Sequence, residues 1–429
     1  MKACAACGRL YPDDAGFCPV DGGPLGRATQ MPAPPSEHDR RIGELVCQRY
    51  EIRRVVADGG MGRVYEALDL QERRSVALKI LHPEIAGDEV AVERFKREFA
   101  VSRALPHDYI VDVLDFQATA DDSYALVMEF LYGEELRATL KRERTVAPAR
   151  MLRMLSQVAI GMDAAHAQNL VHRDLKPDNL FLCQQRDGDI AKILDFGSVK
   201  DNAENAKKLT MLGTTIGSPY YMAPEQAQGL DTLDRRADVW ALAAIVYECV
   251  TGRVPFQGKN GPATLLQILT QEPEPASSAA AGQKHEVPRT LDFALTKAFR
   301  KDPEQRTATA GALADAVGQA YGLEGGHLQW AVRHEKELAA ELAERAADSR
   351  AASRSRVSPT SDFFNERGAL GDSEPPQSLR VEGMPRDRRV LTRPSMLAHA
   401  IPKTRATSTL IGMAVAAGVV LLLLVWVLR

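Results

Sequence analysis

Between two apolar runs the chain carries His172-Arg173-Asp174-Leu175-Lys176-Pro177-Asp178-Asn179. Four of these residues, Arg173, Asp174, Lys176 and Asn179, have side chains that could do chemistry within one loop-length, which is the look of a catalytic loop. Asp195-Phe196-Gly197 follows after a strand-like run at residues 191–194. Upstream, residues 57–62 read Ala-Asp-Gly-Gly-Met-Gly between two strand-like runs. A glycine-rich hairpin lets backbone N–H groups close over phosphates without Cβ obstruction, although by itself it reads equally well as a plain turn. A second candidate centre lies at the start of the chain, where Cys4 and Cys7 form one Cys-x-x-Cys knuckle and Cys18 is followed three residues later by Asp21. Thiolates at that spacing can point at one ion from a tight turn, and a carboxylate oxygen can complete a tetrahedral zinc site; so short a segment buries too little core to fold without a metal. The competing reading is a degenerate, metal-free tail.

The elements that must position these groups follow from length and pattern. The chain has 429 residues, 54 basic against 57 acidic and a formal net charge of −3. That is too long for one ordinary domain, and too evenly charged for nucleic-acid binding by the whole chain. Three of six cysteines fall in the first 18 residues and three are scattered, so a disulfide framework is not indicated and a reducing compartment suits the folded part. Residues 1–26 form the cysteine-bearing module, and the Pro-rich, polar residues 27–49 read as a linker. Strands are predicted over 50–56, 62–68, 75–81 and 124–130, and helices over 90–105, 150–168 and 237–251. Residues 272–284 read as a surface loop.

As an ordered set, these stretches resemble the protein kinases, and the run from Thr215 to Gln226 with Lys176 two places after Asp174 is similar to the bacterial serine/threonine kinases. The resemblance covers residues 50–321. It implies an α+β, bilobal fold, with an antiparallel sheet and one helix in the N-lobe and a mainly helical C-lobe. It implies ATP and magnesium as cosubstrate and cofactor, and protein serine or threonine hydroxyls as substrate. By the resemblance, Asp174 is the base that orients the hydroxyl, Lys176 neutralises charge on the γ-phosphate, and Asn179 and Asp195 hold magnesium through oxygen. Lys79, in Val76-Ala77-Leu78-Lys79, would hold the α- and β-phosphates, paired with an acid on the following helix; family spacing prefers Glu98, with Glu93 a rival. The nucleotide would lie against Val56, Ala57, Asp58, Gly59, Gly60, Met61, Gly62, Arg63 and Val64, with Ala77 and Phe181 also in the pocket. Met128 is placed as gatekeeper, Glu129 to Leu131 as the hinge that bonds adenine, and Glu135 near the ribose. Thr214 and Thr215, with Thr210 behind them, are phosphosite candidates in the activation segment, and Arg173 could pair with an added phosphate. Asp238 and the pairing of Arg306 with Glu225 would be structural. Two positions depart from the pattern: Ala57 replaces the first loop glycine, and Glu134 replaces the second glycine after the hinge.

Residues 328–345 predict an amphipathic helix, with Leu338 and Leu342 at helical spacing. Residues 346–405 are Arg-, Ser- and Pro-rich and read as a disordered basic tether. Residues 410–428 carry no charge, and about 1.5 Å per residue makes them long enough to span a bilayer core of roughly 30 Å. Seven basic residues against two acidic between Arg380 and Arg405 favour a cytoplasmic face for the preceding chain and attraction to anionic lipid. The sequence therefore predicts a tail-anchored serine/threonine protein kinase that phosphorylates proteins and its own activation segment, with homodimerisation through the anchor left open. The competing classes are a pseudokinase that only binds nucleotide, against which the intact Lys79, Asp174, Asn179 and Asp195 argue, and a zinc-dependent adaptor.

Overall fold

Strands with every second residue apolar bury one face and leave the other for a site. The computed structural model describes residues 39–59, 62–196, 219–230 and 232–348 in full, and the backbone at residues 2–3, 10–11, 26–27 and 349–355. The N-lobe sheet contains β1 (Leu45–Val46), β2 (Tyr50–Asp58), β3 (Gly62–Asp69), β4 (Arg74–Leu81), β5 (Val113–Ala118) and β6 (Tyr124–Glu129), all antiparallel in the order β1-β2-β3-β4-β6-β5. Val76, Leu78 and Ile80 of β4 pack with Tyr50, Ile52 and Tyr65 on the outer face, so Ala77 and Lys79 face the opposite way. The helix α1 (Glu89–Ala104) is capped by the Asp88 side chain, which accepts from the Val90 N–H at 2.9 Å.

The folded body starts before residue 50. Leu45 and Val46 pair with Glu51 and Tyr50, and Val46 is 3% exposed, so the expected linker over 27–49 ends in a sheet strand. Its Pro-rich composition hid a two-residue strand whose one buried valine gives it a place in the core.

A second, small sheet joins β7 (Gly133–Glu135), β8 (Leu180–Cys183) and β9 (Ile190–Ile193). Gly133 has φ +154°, and a Cβ there would lie 1.9 Å from the Leu182 carbonyl oxygen, so this position demands glycine. Below it the C-lobe is helical: α2 (Leu136–Glu143), α3 (Pro148–Ala167), α4 (Arg235–Thr251), α5 (Gly261–Thr270), α6 (Arg289–Ala298) and α7 (Ala310–Ala320). α4 is buried on all sides from Ala237 to Thr251, capped by Asp234 at one end and by Gly252 at φ +73° at the other. The expected loop at 272–284 contains a helical turn, Ala276–Ala279, whose two end alanines are buried.

The amphipathic helix expected over 328–345 is two pieces: a turn at His327–Trp330 and α8 (Glu335–Ser355), which continues into the stretch expected to be disordered. Tertiary contacts set the break. The Gln157 side chain donates to the Ala331 carbonyl at 2.8 Å, and the Glu335 N–H donates to the Asp187 carbonyl at 3.2 Å. Trp330 and Leu338 are fully buried against the C-lobe.

At the start of the chain, Lys2–Ala3, Leu10–Tyr11 and Gly26–Arg27 form a three-stranded antiparallel sheet of their own. The candidate ligands Cys4, Cys7, Cys18 and Asp21 lie outside the described residues, as do Gly60, Met61, Thr210, Thr214, Thr215 and residues 356–429. Among the described residues, no helix is long and apolar enough to cross a membrane, and no cluster of His, Cys, Asp and Glu could hold a metal.

Candidate active site

α1 buries Ala91, Val92, Phe95, Glu98 and Ser102, and the spacing of 91, 95, 98 and 102 puts Glu98 on the inner face. Glu98 therefore meets Lys79, Oε2 to Nζ at 2.9 Å, while the exposed Glu93 bonds Lys96 instead. Glu98, and not Glu93, is thus the acid in contact with Lys79. Burial alone would lower the affinity of Lys79 for its proton, but the carboxylates of Asp195 and Glu98 outweigh it and hold the ammonium charged. Burial lifts the Glu98 carboxyl above its ordinary range, with Lys79 pulling down and Asp195 adding to the rise. Asp195 comes from the turn after β9, so three stretches far apart in sequence converge here.

In the loop between α3 and β8, Lys176 Nζ donates to Asp174 Oδ2 at 2.8 Å. Burial works against the Lys176 charge, and Asp174, with Asp178 and Asp195 behind it, raises its affinity for a proton above the ordinary value. The Asn179 amide nitrogen donates to the Asp174 carbonyl at 2.8 Å, which leaves the amide oxygen as the group able to ligate a hard cation. The loop is hung on Asp238 of α4, whose Oδ1 accepts from the Arg173 N–H at 2.8 Å and Oδ2 from the His172 N–H at 2.8 Å. His172 Nε2 then bonds the Leu194 carbonyl at 3.0 Å and its ring packs on Phe196 at 4.9 Å, tying the loop to the Asp195 turn. Arg173 and Asp195 adopt φ values of 68° and 58°, strained for residues with a Cβ, and the Arg173 backbone is held there by its bond to Asp238.

The roof of the cleft comes from β2 and β3. Val64 pairs directly with Lys79 and so faces the cleft, as do Ala77 and its partner Met128. Met128 also packs beside Phe95 and Leu126. Arg63 and Tyr65 face the other way; the Arg63 side chain, expected at the nucleotide, lies on the outer face, and only its backbone can contribute. Gly62 is forced by close approach, since a Cβ would lie 2.3 Å from the Ile80 carbonyl oxygen. Ala57 pairs with Val64 in extended backbone beside a bulge, so the missing glycine is not conformationally needed. Glu134 likewise needs no glycine: its carboxylate accepts from Thr139 Oγ1 at 2.8 Å and Arg142 Nη2 at 2.6 Å, fastening the start of α2.

In the hinge, the Glu129 N–H already donates to the Asp112 carbonyl at 2.9 Å, so of that residue's backbone only the carbonyl is left for a base. Its side chain is taken by Lys192 Nζ at 2.7 Å and the Asp112 N–H at 2.9 Å. Glu135 pairs with Phe181 across β7 and β8, and burial, helped by Asp178, raises its carboxyl. Arg306 grips Glu225 with two bonds at 2.8 and 3.0 Å, and Gln226 Nε2 donates to the Arg173 carbonyl at 2.7 Å.

Sequence reasoning missed two supports. His166 Nε2 lies 2.9 Å from Asp238 Oδ2 beneath the loop. Arg137 reaches Asp178 at 3.2 Å, Glu248 at 2.8 Å and the Tyr221 hydroxyl at 2.5 Å, joining α2, the loop and α4. Their partners are dozens of residues away in sequence, and no local spacing announces such contacts.

Fold and site together define the bilobal class in which a sheeted lobe closes a cleft over a helical one. The chain belongs to the protein kinase family: the family model described as protein kinase domain matches residues 50–317. Among curated relatives, it is 34% identical over 275 residues to the serine/threonine-protein kinase pkn3 of Myxococcus xanthus, covering 63% of this chain and 50% of the relative. It is 35% identical over 282 residues to PknH of Mycobacterium tuberculosis, covering 66% and 43%. It is 36% identical over 319 residues to Pkn1 of Myxococcus xanthus, covering 73% and 45%. The chain thus spans about half the length of the curated relatives it matches. Among solved structures, the kinase domain of Mycobacterium tuberculosis PknI superposes with a TM-score of 0.50 at 25% identity, covering 65% of this chain and 98% of that one.

Proposed function

We propose that this chain is a serine/threonine protein kinase that transfers the γ-phosphoryl of ATP to protein hydroxyls. The observation that carries the reading is the Lys79 ammonium, bonded to Glu98 at 2.9 Å and held charged by Asp195. That is a fixed, largely buried cation inside the cleft, where a polyphosphate needs one.

The roles follow from the contacts. Asp174 takes the proton of the attacking hydroxyl as its oxygen forms a bond to the γ-phosphorus and the bond to the β-γ bridging oxygen breaks, releasing ADP. Lys176, beside it, meets the charge on the transferring group. Lys79 orients the α- and β-phosphates, and Glu98 stops the long lysine chain from wandering. The Glu129 carbonyl and the Leu131 backbone receive adenine, with Met128 closing the back of the pocket and Glu135 at the ribose. Asn179 and Asp195 supply hard oxygen donors and would hold magnesium, which when bound neutralises phosphate charge. A labelled-ATP assay on a mixed protein substrate tests this: Asp174→Asn is expected to lower turnover by roughly a thousandfold with ATP affinity kept. Equal incorporation by wild type and variant would refute it.

The same reading extends to three finer points. Thr214 or Thr215, with Thr210 behind them, is modified by the enzyme itself; phosphosite mapping of wild type against Asp174→Asn tests this. Residues 410–428 tether the protein to the cytoplasmic face of a membrane, the basic stretch before them adding attraction to anionic lipid; fractionation with and without them decides. Cys4, Cys7, Cys18 and Asp21 bind zinc, which metal analysis of the full chain against Cys18→Ser would show as a loss of one equivalent.

A further inference from the structure

The base of the glycine hairpin is held on the outer face of the sheet, away from the cleft. At its base the Gly59 N–H donates to the Gly62 carbonyl at 3.0 Å. On the outer face, Arg63 Nε donates to Asp58 Oδ2 at 2.9 Å, and His82 Nε2 lies 2.9 Å from the Gly59 carbonyl and 3.1 Å from Asp58 Oδ1. The Arg63 guanidinium reaches one residue further, to the carboxylate of Asp39. That carboxylate also accepts from the Arg41 N–H at 2.8 Å and the Tyr65 hydroxyl at 3.3 Å.

Asp39 lies upstream of the stretch matched by the family, which begins at residue 50. It belongs to a strap, residues 39–46, that runs over the outer face of the sheet into β1. The strap is fastened by an Arg41 ion pair to Asp121, by the Gly43 N–H on the Ile52 carbonyl at 2.8 Å, and by the Ile52 N–H on the Glu44 carbonyl at 3.0 Å. A cavity of about 310 Å³ opens between the start of the strap and the end of β4, lined in part by Arg40, Arg63, Tyr65, His82 and Glu84. Polar contacts rather than close packing therefore hold this part of the strap, and the Asp39 side chain is only 7% exposed where it meets Arg63. Charge-assisted bonds shielded in this way are the strong kind.

We infer that Asp39 is a positioning residue for the nucleotide: through Arg63 it fixes Asp58, and with it the base of the glycine hairpin at Gly59 and Gly62. The inference rests on the nucleotide site proposed above. Because Arg63 lies on the outer face, its release does not offer a new cation to the phosphates; it only loosens the hairpin.

The test uses the full chain and ATP with magnesium. Asp39→Asn is expected to raise the KM for ATP by about three- to tenfold, the net weight of one ordinary hydrogen bond since Arg63 is partly solvated, with kcat at saturating ATP within about twofold. Arg63→Gln should do the same, and the double variant should be no worse than Arg63→Gln alone, because both act on one chain of contacts. Asp39→Glu should recover at least half of the loss. A KM unchanged in Asp39→Asn, or effects of the two single variants that multiply in the double, would overturn the inference. A wild type with no saturable dependence on ATP would instead remove the nucleotide site itself.

Discussion

Replacing Asp238 by asparagine asks how much of the catalytic loop hangs from one buried carboxylate. The two Asp238 oxygens accept from the backbone N–H groups of Arg173 and His172, both at 2.8 Å, and the side chain is 1% exposed. Asparagine keeps the shape but offers one oxygen. Whichever way the amide turns, its NH2 faces one of those N–H donors, and a buried donor without an acceptor costs about 1–3 kcal/mol. His166 also loses its ionic partner at 2.9 Å. A total of about 3–5 kcal/mol follows, the scale of a broken buried pair, which lowers the melting temperature by roughly 10 °C in a domain of this size. The catalytic effect is larger than the stability effect alone would give. Arg173 sits at φ 68°, and once a bond that holds it there is gone the backbone relaxes, carrying Asp174 with it. A shift of about 1 Å in a reacting group is worth on the order of a hundredfold in rate. Steady-state phosphorylation should therefore show kcat down at least about a hundredfold with the KM for ATP changed less than about threefold. A variant with kcat within threefold of wild type and an unshifted melt would refute the anchoring argument.

Other outcomes follow from the same contacts. Burial opposes the charge on His166, but Asp163 and Asp238 raise its pKa to about 9 from an ordinary 6.5. The stabilisation it brings is therefore complete below about pH 6.5 and lost as pH rises through 9, at most about 3 kcal/mol. Urea melts at pH 6, 7.5 and 9 should show that decline in wild type and a flatter profile in His166→Gln. Arg306→Leu strands the buried Glu225 carboxylate and should cost about 3–5 kcal/mol by urea unfolding, while adding Glu225→Leu should restore part of it; a single variant as stable as wild type would refute the pair's role. Trp330→Ala should cost about 3–5 kcal/mol in the same assay if the segment after α7 belongs to the core, and nothing measurable if it does not.

Legibility followed distance along the chain. Asp174, Lys176 and Asn179 lie within six residues and were readable at once, and the alternation in β4 already set Lys79 apart from its apolar neighbours. Glu98 against Glu93 was a choice between helix faces that needed to know where Phe95 points. What stayed hidden was support arriving from elsewhere: His166 under Asp238, Arg137 between three elements, and Asp39 behind Arg63. The strap was concealed by the Pro-rich stretch before it and by the brevity of β1. The helix at 335–355 outran its expected end because an Arg- and Ser-rich sequence reads much like an unstructured tether, whereas the residues that anchor it, Leu338 and Leu342, lie in its first half.

Trp330 lies over Gly318, where a Cβ would come within 2.1 Å of the indole, and its ring nitrogen donates to the Glu324 carbonyl at 3.0 Å. A recombinant fragment trimmed where the family match stops, at residue 317, would lose this lid and expose an oily furrow along α3 and α7. Such a fragment would clump or melt early, and its feeble turnover could be mistaken for a property of the enzyme. A faithful preparation for assay therefore keeps Trp330 and the first turns of α8 with the buried Leu338.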